Sequence, residues 1–145
     1  MNAAAQVFQP SQTKTDVFWY PTTIAGISSV APNGSSQINL DADSYFYCVA
    51  LTCVTNIAGA AYTESTVPQP LIAIQIQDTG TGKYLMSGSI LIPGMFGDGK
   101  RPYRFPRPRV FNPNSTINFT YDGSLLAAGT TYGVQLIMHG FKQYL

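Results

Sequence analysis

The sequence predicts an all-β protein, a single antiparallel β-sandwich preceded by an extended N-terminal arm. Three observations favour this class. Charged residues make up only 10% of the 145 residues, too few for the charged faces of helical bundles and coiled coils. Apolar and polar residues alternate in short runs, which is the period of a β-strand. Turn residues (Gly, Pro, Asn and Asp) interrupt these runs about every 8 to 15 positions, as in sandwiches and barrels.

The arm and the first strands lie at the N-terminal end. Residues 1–16 are small, polar and non-periodic, so we expect an extended arm there and the sandwich domain over residues 17–145. Residues 17–20 form a short aromatic strand, which Pro21 should stop. A second, weaker strand is expected between residues 24 and 30, before a turn that contains Pro and Asn-Gly.

The strongest strand of the first half spans residues 45–55. It is rich in aromatic and β-branched residues and apolar on both faces, which places it centrally in a sheet. Cys48 and Cys53 lie five positions apart in this strand, so their side chains should point to opposite faces. We therefore expect two buried free thiols and no disulfide. Residues 56–70 should form a long exposed loop.

The remaining strands follow from the same alternation and from turns that contain Asp-Gly or Thr-Gly. We expect them at residues 36–40, 71–77, 83–87, 90–92, 115–121 and 131–141. Their predicted core positions are Ile72, Ile74, Ile76, Ile117, Phe119, Tyr121, Tyr132, Val134, Leu136 and Met138.

Residues 94–114 are unusually rich in Gly and Pro, and at most a short strand near residues 103–105 is expected there. The strand pattern is compatible with a jelly roll and with an immunoglobulin-like topology. The Cys–Trp–Cys order of immunoglobulin domains is absent, because Trp19 precedes both cysteines.

Residues that support catalysis are scarce. His139 is the single histidine, and we interpret it as a structural or surface residue. Asp41 and Asp43, two positions apart, are interpreted as a solvated turn and not as a calcium site. The sequence contains no phosphate-binding glycine loop and no nucleophile elbow. The sequence thus predicts a protein that is not an enzyme and that has no cofactor and no metal.

One basic cluster stands out from this background. It holds five of the eight basic residues within ten positions, interleaved with aromatic residues and prolines that keep the chain extended. Arginine pairs carboxylates bidentately, so contact with a sister subunit or another protein is the favoured interpretation. Pairing with the protein's own acidic residues is the alternative, and the net charge of +1 disfavours nucleic acid. The predicted partner-contact residues are Lys100, Arg101, Tyr103, Arg104, Phe105, Arg107 and Arg109.

Segments that would direct the chain to a membrane are not recognisable. No run approaches the 18 or more apolar residues of a membrane span. Residues 1–10 lack the basic region and apolar stretch of a signal peptide, so we expect no Sec export and no glycosylation at the three Asn-x-Ser/Thr sites. Tyr20, Tyr62, Tyr103 and Tyr144 are the tyrosines expected at the surface.

The sequence resembles virion structural proteins of bacteriophages. The resemblance comes from the polar arm, the low-charge domain rich in Ser, Thr, Asn and Gln, and the C-terminal strand and tail of residues 140–145. It also comes from the middle stretch of the chain, from residues 74–80 through residues 107–115.

The resemblance implies a minor capsid or decoration role on a viral shell, in contact with other capsid or virion proteins. It implies a homo-oligomer, with a trimer favoured, that is made in the host cytoplasm and located in the virion. The extended arm would reach up to about 50 Å, far enough to contact a neighbouring subunit. The alternative is a carbohydrate-binding β-sandwich, a receptor-binding or spike module that presents tyrosines on the loops at residues 56–70 and 94–114.

Overall fold

The predicted all-β sandwich is confirmed: two antiparallel sheets pack face to face in a computed structural model that describes residues 14–57, 70–98 and 101–145. The elements are β1 (Thr15–Ser28), β2 (Asn33–Asn39), β3 (Ser44–Ile57), β4 (Ala73–Asp78), β5 (Lys83–Tyr84), β6 (Ile90–Leu91), α1 (Ile92–Met95), β7 (Tyr103–Phe111), β8 (Thr116–Asp122) and β9 (Thr131–Tyr144).

The strand order identifies the topology. Sheet A has the order β1-β9-β3-β7, and sheet B has the order β2-β8-β4 with β5 and β6 both paired to β4. Successive long strands therefore alternate between the two sheets, and each sheet interleaves early strands with late ones. This is the double Greek-key arrangement of a jelly roll, and it excludes the immunoglobulin-like alternative.

The core lies between the inner faces of the two sheets. The alternation in β4, β8 and β9 points the predicted residues inward, and their side chains are buried or packed against the core. Phe46, Phe111 and Phe119 are the largest fully buried side chains. Residues 1–13 and most of the predicted 56–70 loop lie outside the described residues, and Thr15 and Asp16 begin β1.

Two predictions that relied on proline as a strand breaker are wrong. Pro21 does not stop the first strand, since β1 continues to Ser28 and Pro21 pairs with Ile137. The short strand expected at residues 103–105 is the nine-residue β7, which includes Pro106 and Pro108. Both β1 and β7 are edge strands of sheet A. One side of an edge strand has no neighbouring strand, so a proline whose missing N–H would point to that side removes no hydrogen bond from the sheet.

A β-bulge at Val49 determines which side chains of β3 face the core. Cys48 pairs with Gly140 and Ala50 pairs with His139, so Val49 is one extra residue between two consecutive pairs. The extra residue reverses the alternation after Cys48. Cys48 and Cys53 consequently both face the core as free thiols. The two free thiols are confirmed, but the prediction of opposite faces is wrong.

Gly140 permits the close strand approach at this bulge. A Cβ on Gly140 would collide with the backbone carbonyl of Tyr47 and lie 2.9 Å from Cε2 of Phe46. Gly133, in the same strand, has far more room: a Cβ there would lie 3.9 Å from the carbonyl oxygen of Ile24.

Gly140→Ala should therefore lower the free energy of unfolding by up to about 3 kcal/mol, because backbone must shift to admit the methyl group. Gly133→Ala is the matched control and should change stability by less than about 0.5 kcal/mol. Urea unfolding of both variants measures the difference. Equal stability of the two variants would contradict the close approach at the bulge.

An ion pair closes one end of the sandwich. The ammonium of Lys142, whose side chain is 6% exposed, contacts the carboxylate of Asp41 and lies 3.4 Å from the centre of the Phe18 ring. The Tyr20 hydroxyl donates a hydrogen bond of 2.9 Å to the same carboxylate. Hydrogen bonds from Lys142 and Tyr20 lower the pKa of Asp41. Burial alone would lower the pKa of Lys142, but its contacts with Asp41 and Tyr20 raise it.

The two partners should differ in how much stability their removal costs. Asp41→Ala leaves the buried ammonium of Lys142 unpaired and should cost about 3 kcal/mol, whereas Lys142→Met leaves a half-exposed carboxylate and should cost about 1 kcal/mol or less. Thermal and urea unfolding measure both values. An equal cost for the two variants would contradict the buried position of the lysine.

The pair should also give the wild type a defined pH range of stability. The pKa of Asp41 is lowered from 3.8, so its contribution is complete above that value and is lost as pH falls through the folded-state pKa. The pKa of Lys142 is raised from 10.5, so its contribution is complete below that value and is lost as pH rises through the folded-state pKa. In Asp41→Ala, the acid-side loss should be smaller than in the wild type.

Candidate partner-contact surface

Five of the seven predicted partner-contact residues lie on β7, an edge strand of sheet A. Tyr103, Arg104, Arg107 and Arg109 are exposed, and Phe105 is half-buried against the core. Arg101 precedes the strand, and its backbone N–H donates a hydrogen bond of 2.6 Å to Asp98 Oδ1. Lys100 lies outside the described residues. We call the exposed segment formed by residues 103–109 the β7 ridge.

The ridge bulges away from its neighbour β3. Arg109 pairs with Cys48 and Arg104 pairs with Ala50, so residues 105–108 lie opposite Val49 alone. Pro106 and Pro108 have no N–H to donate to a ladder and fix their own φ angles, which suits a stretch that leaves the sheet. The bulge of β7 is therefore opposite the bulge of β3, and the ridge projects from a rigid edge.

A depression of about 540 Å³ lies against the ridge. Leu85, between β5 and β6, contributes from sheet B, so the depression lies between the edges of the two sheets. Two of its aromatic residues are in edge-to-face contact, with ring centroids 5.6 Å apart. The residues that line it are Leu85, Tyr103, Phe105, Pro106, Arg107, Pro108 and Arg109.

The positive charge of the β7 ridge is not balanced by acidic side chains of the described residues. In the described ranges, no carboxylate forms an ion pair with the guanidinium of Arg104, Arg107 or Arg109. The five-residue basic cluster contrasts with the rest of the chain, whose three basic and seven acidic residues have a net charge of −4. The ridge can therefore offer planar donors to a carboxylate, sulfate or phosphate group from outside.

The acidic turn and the single histidine have partners of their own. The carboxylate of Asp41 contacts Lys142 and Tyr20, and Asp43 Oδ1 accepts a hydrogen bond of 3.0 Å from the Ser44 hydroxyl. His139 Nε2 lies 2.6 Å from Thr52 Oγ1, and burial lowers the pKa of this imidazole. No group of three or more His, Cys, Asp or Glu side chains within the described ranges is arranged to hold a metal ion.

The predicted surface tyrosines differ from one another. Tyr20 is buried, which is contrary to the prediction, because its ring points inward from β1 and packs edge-to-face on Phe46. Tyr103 is exposed, Tyr144 is half-buried, and Tyr62 lies outside the described residues. Among the lining residues, Leu85 was missed at the sequence level, because it comes from a different hairpin and carries no local signal.

None of the described helices is long and apolar enough to cross a membrane.

No protein-family model matches the chain, and no curated protein matches it. Among solved structures, the chain is similar to one described as "Cyanophage Pam1 capsid asymmetric unit". The two chains share 13% sequence identity and a TM-score of 0.43, over 96% of each.

Proposed function

We propose that this chain is a non-enzymatic structural protein of a bacteriophage particle, a decoration or minor capsid protein that binds neighbouring virion proteins through the β7 ridge. The observation that supports this most strongly is the group of three exposed arginines without acidic partners in the described residues. The sequence resemblance to phage virion proteins supplies the biological setting.

The ridge suits a protein neighbour for physical reasons. Proline-fixed backbone loses little conformational entropy when a partner binds, so more of the interaction energy remains as affinity. Pro106 and Pro108 also remove backbone donors from this edge, which disfavours recruitment of an additional strand. Recognition by arginine side chains that pair with acidic residues of the neighbour is thus the mode that this edge favours.

The rest of the chain is compatible with assembly into a crowded shell. Few charged residues mean little mutual repulsion between copies at close spacing. In this proposal, the part of the predicted arm that precedes β1 reaches a neighbouring subunit. The jelly roll also occurs in viral capsid domains and in lectins, so the fold alone does not choose between these functions.

A carbohydrate-binding module is the second candidate, and the depression beside the ridge favours it. The exposed ring of Tyr103 and the half-buried ring of Phe105 lie beside Arg107 and Arg109, and sugar-binding sites use aromatic faces together with hydrogen-bond donors. An acidic oligosaccharide would complement the guanidinium groups. A protein neighbour is favoured over this ligand because the sequence resembles phage virion proteins and because Arg104 of the ridge does not line the depression.

Arg107→Gln should weaken binding to purified particles of the encoding phage by about tenfold, because one charge-assisted hydrogen-bonding group is lost. Lys83→Gln is the matched control, since it removes one exposed positive charge from β5 and should bind like the wild type. Co-sedimentation with particles, at low and at moderate salt, measures both. Wild-type binding should weaken with added salt.

Two outcomes would overturn the proposal. Absence of the chain from purified particles, measured by mass spectrometry, would remove the virion role. Equal effects of Arg107→Gln and Lys83→Gln would show that general charge, and not the ridge, controls binding. Saturable binding of an acidic oligosaccharide that Arg107→Gln abolishes, combined with absence from particles, would establish the second candidate in its place.

A further inference from the structure

The outer face of sheet A is unusually apolar for a surface that faces solvent. Val17 and Trp19 on β1 are 68% and 53% exposed, while the alternating Phe18 and Tyr20 point inward. Val110 on β7 is 46% exposed. The two strands that carry these three side chains are the two edges of sheet A, so the exposed apolar residues mark opposite margins of one face.

One row of this face crosses all four strands. Val17 pairs with Phe141, Phe141 pairs with Tyr47, and Tyr47 pairs with Val110. The rings of Tyr47 and Phe141 stack with centroids 4.8 Å apart and planes only 6° from parallel. The row is therefore a continuous apolar and aromatic band from one edge of the sheet to the other.

The next two rows extend the band on one side, and polar rows border it at both ends, where Thr15 pairs with Gln143 and Thr23 pairs with Gln135. Trp19 pairs with His139, whose imidazole is held by Thr52, and Pro21 pairs with Ile137. Among the described residues that point outward from this sheet, the only permanently charged one is Arg104, at the β7 margin opposite Ala50. A copy of the same face would bring no other like charges together.

The outer face of sheet B has a different character. Most of its outward positions on β2, β8 and β4 carry hydroxyl and amide side chains. These are Asn33, Ser35, Gln37, Asn39, Gln75, Gln77, Thr116, Asn118 and Thr120, and Ala73 and Asp122 complete the face. Only sheet A presents an extended apolar face, and such faces mark interaction surfaces in proteins.

We propose that a second copy of this chain covers the outer face of sheet A, through a two-fold, face-to-face packing of the two sheets. Four strands about 4.8 Å apart and about 35 Å of strand length give a face of roughly 670 Å² per copy, with its polar ends included. The pair would bury roughly 1,300 Å² in total, within the range of stable specific interfaces. Two copies of the face would bring few like charges together, and the aromatic row of one copy could pack on the same row of the other. Both features favour an identical partner over a charged one.

This inference is independent of the virion role, because Arg104 is the one ridge arginine that borders the face, and the face would pair copies of the isolated protein. A two-fold pair differs from the trimer that the resemblance to phage virion proteins implies. A closed trimer needs two different patches in contact, whereas face-to-face sheets use the same patch twice.

Analytical ultracentrifugation of the full chain, across a range of concentrations, tests the pairing. We expect a monomer–dimer equilibrium, which Val17→Lys and Val110→Lys should each weaken at least tenfold, because each variant buries an unpaired charge in the interface. Gln37→Lys on edge strand β2 of sheet B is the matched control and should dimerise like the wild type. Both valines are solvent-exposed in the monomer, so the variants should remain folded, which thermal unfolding verifies.

The single tryptophan reports which face is covered. Trp19 fluorescence should become less accessible to acrylamide as the dimer forms, in the wild type and in Gln37→Lys. A protein that stays monomeric at high concentration would overturn the inference. A trimer would also overturn it. So would a dimer in which Trp19 remains fully quenchable, and so would a dimer that both valine variants leave unchanged.

Discussion

The extra residue in β3 is the constraint on which the surrounding structure depends. Val49 has no counterpart in β9, so the alternation of β3 reverses at this point, and the residues after it exchange faces. Leu51 and Cys53 enter the core, while Ala50 and Thr52 take the outer side next to His139. A strand of fourteen residues at the centre of sheet A can thus supply the core along its whole length.

The same bulge connects the core to both candidate contact surfaces. On the β7 side, Val49 faces the four residues that leave the sheet, so the β7 ridge projects where the ladder is already interrupted. On the outer side, the register just before the bulge aligns Tyr47 with Phe141 and Val110 and thereby completes the apolar row. The β7 ridge and the apolar face of sheet A therefore meet at Arg104, and we propose an acidic neighbour for the ridge and an identical copy for the face.

Much of the fold follows from sequence alone, because alternation is a local signal. The inward positions of β4, β8 and β9 were predicted residue by residue, and the basic cluster was recognised from its composition. The errors have long-range causes. Whether Pro21 ends a strand depends on whether that strand lies at a sheet edge, and the side on which Cys53 lies depends on a bulge that local alternation does not reveal. Leu85 joins the depression only through the packing of two sheets.

The thiols test the bulge most directly. With Val49 bulged, Cys48 and Cys53 both face the core, where burial raises the pKa of each thiol to about 12. A regular strand would turn one of them to the outer face of sheet A. The measurement is labelling of the native protein with a thiol reagent at neutral pH, followed by peptide mapping. The account predicts that both cysteines stay unmodified until the protein unfolds. Rapid modification of one cysteine in the folded protein, with the other protected, would contradict it.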